Sequence, residues 1–128
     1  MIQSITLLIT DDEQEILDSI EMELKRIDPN LNIIKVQTGR ESLQLIQTGD
    51  IDILLTDIAM PDMDGFELNK RVKEIRPNIP IIMMTSFGYD PEHIVVNSKR
   101  FGLDEVILKP IDYSKLISLI YKCTFPPS

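Results

Sequence analysis

Ile53-Leu54-Leu55-Thr56-Asp57-Ile58-Ala59-Met60-Pro61-Asp62-Met63-Asp64-Gly65 is the stretch that decides how this chain folds. An apolar run leads straight into a carboxylate, and a loop containing Pro and Gly follows. A carboxylate at the end of a buried strand does little for stability, but it is well placed to meet a ligand at the strand's mouth. Working outward, three other apolar runs also end on polar residues. Ile5 to Thr10 ends on Asp11-Asp12, Ile81 to Met84 on Thr85-Ser86, and Val106 to Leu108 on Lys109-Pro110. In a parallel α/β sheet the carboxyl ends of the strands line one crevice, where ligands bind. Four polar signals at four such ends therefore converge on one site.

Helical patterns separate these runs. Ile16, Ile20, Leu24 and Ile27 form one apolar stripe, and Asp28-Pro29 stops it, because the residue before proline is pushed away from helical angles. Ile33 to Val36 reads as a second strand. Thr38-Gly39-Arg40-Glu41 matches a capping box, with Leu43 and Ile46 inward and Gly49-Asp50 as the stop. A helix over about 65–75 turns Leu68, Val72 and Ile75 inward. Asp90-Pro91-Glu92 looks like the start of another helix, which Gly102 would end. A last helix over 112–121 turns Tyr113, Leu116, Ile117 and Ile120 inward. Five strands alternating with helices predict a parallel sheet covered on both faces, with right-handed crossovers. Near-continuous apolar strands agree with burial on both faces.

The 128 residues suit one domain, and 43% hydrophobic residues are enough to fill its core. A net charge of −8 argues against a nucleic-acid surface and an anionic membrane, and suits a basic partner or a bound cation. The single cysteine, Cys123, makes no internal disulfide, and a reducing cytoplasmic setting is the simple expectation. Met1-Ile2-Gln3-Ser4 lacks the features of a signal peptide, and no apolar run reaches the about 18 residues of a membrane span.

Asp11, Asp12 and Asp57 would bring three carboxylates into one crevice, and they cannot all stay ionised cheaply without a cation. Hard oxygen ligands suit Mg²⁺. Lys109 adds a positive charge and Thr85 a hydroxyl donor, so the set is able to hold a phosphoryl group. A carboxylate can also attack such a group and form an aspartyl-phosphate, a reaction that needs mainly positioning and charge neutralisation.

Asp11-Asp12-Glu13, Asp57 ahead of Met60-Pro61-Asp62-Met63-Asp64-Gly65, Thr85-Ser86 and Lys109-Pro110 together resemble the receiver domain of two-component response regulators. The resemblance runs from about Ile5 to Tyr121. Each motif alone is weak, and their order and spacing relative to five strand ends carry the match. It implies a flavodoxin-like (βα)5 doubly wound sheet of order 2-1-3-4-5, a single domain over 1–124, with 125–128 a tail or the start of a linker. It implies that Asp57 takes a phosphoryl group from a histidine of a sensor kinase or a phosphotransfer protein. By the same resemblance Asp12, Asp57 and the backbone carbonyl of Ala59 ligate Mg²⁺, with Asp11 acting largely through water. Thr85 and Lys109 bind the phosphoryl oxygens, and Lys109-Pro110 is cis. Two features depart from the family pattern. Val106 stands where receivers commonly carry a Tyr or Phe that reports phosphorylation by flipping. The segment from Thr85 to Gly102 is also about two residues longer than in many receivers, which directs attention to Phe87-Gly88-Tyr89-Asp90 as the moving part and to Phe87 as a shield over the acyl phosphate.

Several residues also have plainer readings. Asp11 or Asp12 alone would serve as a cap of the first helix, and Lys109-Pro110 alone as a loop signal. Asp62 and Asp64 read as turn and cap residues, His93 as a surface residue, and Met60, Met63, Met83 and Met84 as packing. Among rival functions, a haloacid-dehalogenase-type phosphatase would use Asp62-Met63-Asp64-Gly65, but that motif should follow a strand directly and Met60-Pro61 intervenes. A calcium loop with Gly65 sixth would begin at Met60 and end at Arg71, which fails. A receiver-like module that signals by binding alone is the remaining alternative.

Overall fold

A computed structural model describes residues 4–86 and 105–125. Its elements run β1 (Thr6–Thr10), α1 (Gln14–Ile27), β2 (Asn32–Val36), α2 (Gly39–Thr48), β3 (Ile53–Asp57), α3 (Gly65–Ile75), β4 (Ile81–Ser86), β5 (Glu105–Lys109) and α4 (Tyr113–Thr124). The five strands form one sheet in the order β2-β1-β3-β4-β5, parallel throughout. This is the flavodoxin-like, doubly wound arrangement expected for a single domain, with four helices among the described residues. The expected helix over about 90–102, His93 and the Phe87–Asp90 segment lie outside the described residues.

Strand alternation divides the core in two. Leu7, Ile9, Ile53, Leu55, Ile82 and Met84 pack with Leu17, Ile20 and Leu24 of α1 and Leu116, Ile117 and Ile120 of α4. Leu8, Leu54 and Ile81 pack on the other face with Ile46 of α2 and Leu68 and Val72 of α3. Every residue of β3 is buried, which explains why it reads as an unbroken apolar run. Successive side chains of a strand point to opposite faces, so one such run supplies both layers.

The helix ends follow local chemistry. Thr38 accepts a hydrogen bond from Glu41 N at 3.1 Å and Asp64 one from Glu67 N at 2.8 Å, each at an N-cap. Asp112 caps α4 in the same way, and Phe125 N–H closes its far end on Tyr121 O. The last helix therefore begins one residue later and ends three residues later than the sequence pattern predicts, since Asp112 is its cap and backbone bonding continues to Phe125. The α1 stripe is rotated too. Leu17, Ile20 and Leu24 are fully buried, Ile16 is half-buried, and Ile27 is exposed.

Candidate functional site

Asp57 is the last residue of β3, paired in register with Met84 of β4. Thr85 is the next residue of β4, and Ser86 pairs with Lys109 at the end of β5. Asp11 follows β1 directly, where its N–H donates to Val36 O at 3.2 Å. The strand register therefore brings these ends to one edge of the sheet, at the carboxyl ends of its four consecutive strands β1, β3, β4 and β5.

The side chains meet there. One carboxylate oxygen from each of Asp11, Asp12 and Asp57 lies within 4.8 Å of the others. Lys109 Nζ donates to Asp11 Oδ2 at 3.0 Å and lies 3.2 Å from Asp57 Oδ1. Asp11 is fully buried and Asp57 nearly so, whereas Asp12 faces solvent. The other Asp11 oxygen accepts from Glu13 N at 2.9 Å in a turn just ahead of α1. The N-cap of α1 is Glu13, with no side-chain cap bond, so neither Asp11 nor Asp12 caps the helix. The Lys109-Pro110 peptide bond is cis.

The electrostatics follow from one lysine serving a crowded acidic site. Burial raises the pKa of Asp57 above its ordinary value; Lys109 opposes the rise and Asp11 adds to it. Burial alone would lower the pKa of Lys109. Its hydrogen bond to Asp11 and the charges of Asp57 and Asp11 outweigh that, so it is held above the ordinary lysine value. Two carboxylates thus share a single ammonium.

The donor set fits Mg²⁺, which prefers hard oxygens and keeps several waters. The buried hydroxyl of Thr85 adds an independent sign of an absent partner. It has no exposure and no hydrogen-bond partner among the described residues, and a buried unpaired hydroxyl is costly.

The loop after Asp57 is pinned at its base. Ile58 N–H continues the ladder to Met84 O at 3.0 Å, and Gly65 N–H closes onto Ile58 O at 2.8 Å. A Cβ on Gly65 would come within 2.8 Å of the Asp57 carbonyl oxygen, so this close approach requires glycine. Ala59 is exposed beside the site. Asp64 caps α3, and the Asp62 carboxylate accepts from Gly39 N and Arg40 N at 3.2 Å each. Both residues are thus occupied at helix starts, as turn and cap residues would be. Val106 packs with Phe66 on Ile58 and Met83, and its own short aliphatic side chain has no ring to flip.

Sequence reasoning missed Ser42. It is fully buried on α2 and shares a hydrogen bond with the Thr10 hydroxyl, one residue before Asp11. The signal was a serine four residues after a capping threonine, on the face of an otherwise apolar stripe.

The family model described as "Response regulator receiver domain" matches residues 7–121. This chain belongs to the response regulator receiver domain family. The regulatory protein VanR of Enterococcus faecium is 33% identical over 114 residues, covering 89% of this chain and 47% of VanR. An uncharacterised 14.6 kDa protein of Leptolyngbya boryana is 30% identical over 125 residues, covering 94% of this chain and 92% of that protein. The crystal structure of a CheY-like receiver domain protein from Methanospirillum hungatei JF-1 superposes with a TM-score of 0.83 at 32% identity, covering 94% and 93% of the two chains. The chain spans about half the length of curated relatives such as VanR and SaeR. Receivers are signalling domains of two-component systems rather than conventional enzymes, and they work with histidine kinases and output domains. Among the described residues no helix is long and apolar enough to cross a membrane.

Proposed function

We propose that Asp57 is the phosphoacceptor of this receiver, taking a phosphoryl group from a phosphohistidine of a sensor kinase or phosphotransfer protein. An Asp57 oxygen forms a bond to phosphorus as the phosphorus–nitrogen bond breaks, and the imidazole nitrogen leaves with the electron pair. Asp12, Asp57 and the Ala59 carbonyl, with Asp11 acting through water, would hold Mg²⁺, which would supply charge neutralisation on the phosphoryl oxygens. Lys109 adds a fixed positive charge, and the Thr85 hydroxyl donates to the transferred group. In this reading residues 1–124 form the receiver and 125–128 a tail or linker. It acts in the cytoplasm and passes its signal to a partner protein or an output domain, and the net charge of −8 favours protein over nucleic acid or anionic membrane as that partner.

The supporting observation is the meeting of Asp57 with Lys109 at 3.2 Å and with Asp11 and Asp12 within 4.8 Å. Such a site has one carboxylate more than its lysine can serve, and Thr85, next to the β4 partner of Asp57, has a buried hydroxyl without a hydrogen-bond partner among the described residues. The experiment is intact-mass measurement after incubation with Mg²⁺ and acetyl phosphate. One phosphoryl mass should appear, and EDTA should abolish it. A gain that persists in Asp57→Asn would overturn the assignment.

A further inference from the structure

The loop from Ile58 to Asp64 carries the Ala59 carbonyl, and most of its residues are tied down. Met60 is buried in the core between the sheet and α2 and α3. Met63 lies so close over Gly39 that a Cβ there would come within 2.6 Å of its Cγ. Between them, Asp62 Oδ1 accepts from Gly39 N and Oδ2 from Arg40 N, both at 3.2 Å. Thr38 already serves the next amide, Glu41 N. The first turn of α2 thus leaves two backbone donors to a carboxylate that comes from another segment. Helix starts leave such donors unpaired and favour negative charge.

The same turn of α2 is joined to the other acidic segment. Ser42 bonds the Thr10 hydroxyl, and Gln37 Nε2 donates to Asp12 O at 3.3 Å. The start of α2 is therefore a shared abutment for the β1 end, which bears Asp11 and Asp12, and for the loop that bears Ala59. Asp64 caps α3, the helix that follows the loop, so among the described residues Asp62 is the charged side chain that ties the loop to α2.

We infer that Asp62 is a positioning residue for the metal site: docked by both oxygens onto the first turn of α2, it holds the Ala59 carbonyl at a fixed distance from Asp12 and Asp57. The inference rests on the proposed reading of Ala59 as a ligand through its carbonyl. Asp62 spends its oxygens on α2 and is not itself a ligand. The rival role is that Asp62 merely caps α2, or merely adds negative charge near the cation.

The test is calorimetric titration of the whole chain with MgCl₂, in wild type and three variants. Asp62→Ala should weaken Mg²⁺ binding about tenfold, the low end of the loss when a group that orients a ligand is removed. Thr38→Ala removes a cap from the same helix turn without touching the loop, and its affinity should stay at the wild-type value. Asp62→Asn loses the charge but keeps an oxygen acceptor, and should lie closer to wild type than to Asp62→Ala. Hydrogen exchange at the Gly39 and Arg40 amides should quicken in Asp62→Ala. Equal affinity in Asp62→Ala and wild type would overturn the inference. So would equal losses in Asp62→Ala and Thr38→Ala, or in Asp62→Ala and Asp62→Asn, since capping or charge alone would then suffice. A wild-type chain that binds no Mg²⁺ would instead remove the underlying reading of the site.

Discussion

Lys109 Nζ stands 3.2 Å from Asp57 Oδ1 while donating a hydrogen bond to Asp11. The ammonium bridges the ends of β1 and β3 from the end of β5, so one cation stabilises two buried carboxylates from two different strand ends. Lys109→Met keeps most of the stem and removes the charge, leaving Asp11 and Asp57 buried without a counter-ion. Breaking such a pair from one side costs about 3–5 kcal/mol, and Lys109 is partly exposed, so a loss of about 3 kcal/mol is expected in EDTA. Urea unfolding measures it, and millimolar Mg²⁺ should shrink it. A variant as stable as wild type in EDTA would show that the lysine does not hold the carboxylates.

Asp57 itself should weaken the metal-free fold. Its pKa is raised by burial, with Asp11 adding to the effect and Lys109 opposing it. The folded state therefore holds the Asp57 proton to a higher pH than the unfolded chain does. Stability from this group falls as pH rises through the window from the ordinary carboxylate value to the raised one, and stays low above it. Asp57→Asn should accordingly melt a few degrees higher than wild type at pH 7 in EDTA. The advantage should fade as pH drops through that window, and Mg²⁺ should reverse the order. Melting curves across pH decide this, and a midpoint for the variant below wild type in EDTA at pH 7 would refute it.

Much of this was legible because strand ends carry their own punctuation. Asp57, Thr85 and Lys109 each terminate an apolar run, and parallel order then brings the ends together. The α1 stripe was legible only approximately. Each residue of a helix advances about 100°, so Leu17 falls on the same face as Ile20 and Leu24, Ile16 lies at its margin, and Ile27 is the last residue of the helix, where the face runs out. Ile27 is therefore exposed at the helix end and Leu17, which sequence spacing of four had passed over, is buried. Ser42 and Asp62 were not legible as partners. Their bonds to Thr10, Gly39 and Arg40 join segments distant in sequence, and no local periodicity records such a contact.

Mg²⁺ should stabilise the unphosphorylated domain. Three carboxylate oxygens within 4.8 Å repel one another, and a cation that binds only the folded state adds stability by mass action. The gain reaches about 2.7 kcal/mol at a hundredfold excess over the dissociation constant. Thermal melts should move upward with MgCl₂ in wild type and much less in Asp12→Ala. A midpoint that ignores Mg²⁺ at tens of millimolar would mean that the carboxylates do not act as one site.

Gly65 should tolerate a side chain poorly, because the Cβ would press on the backbone that carries Asp57. Alanine is ordinarily favoured over glycine in a helix by about 1 kcal/mol, and Gly65 opens α3. Here the added Cβ would meet the Asp57 carbonyl oxygen at 2.8 Å and Ile58 Cα at 3.0 Å. Both are backbone atoms, so relief requires moving the segment that presents Asp57. Overpacking of this kind costs about 1–3 kcal/mol and outweighs the helix preference. Gly49→Ala is the matched control, because its Cβ would meet the Leu45 carbonyl oxygen, also at 2.8 Å, at the other end of α2. Both variants should lose stability in urea. Only Gly65→Ala should also slow the gain of phosphoryl mass from acetyl phosphate, because only there does the displaced backbone belong to the acceptor. Equal phosphorylation rates in the two variants would show that the close approach at Gly65 serves packing alone.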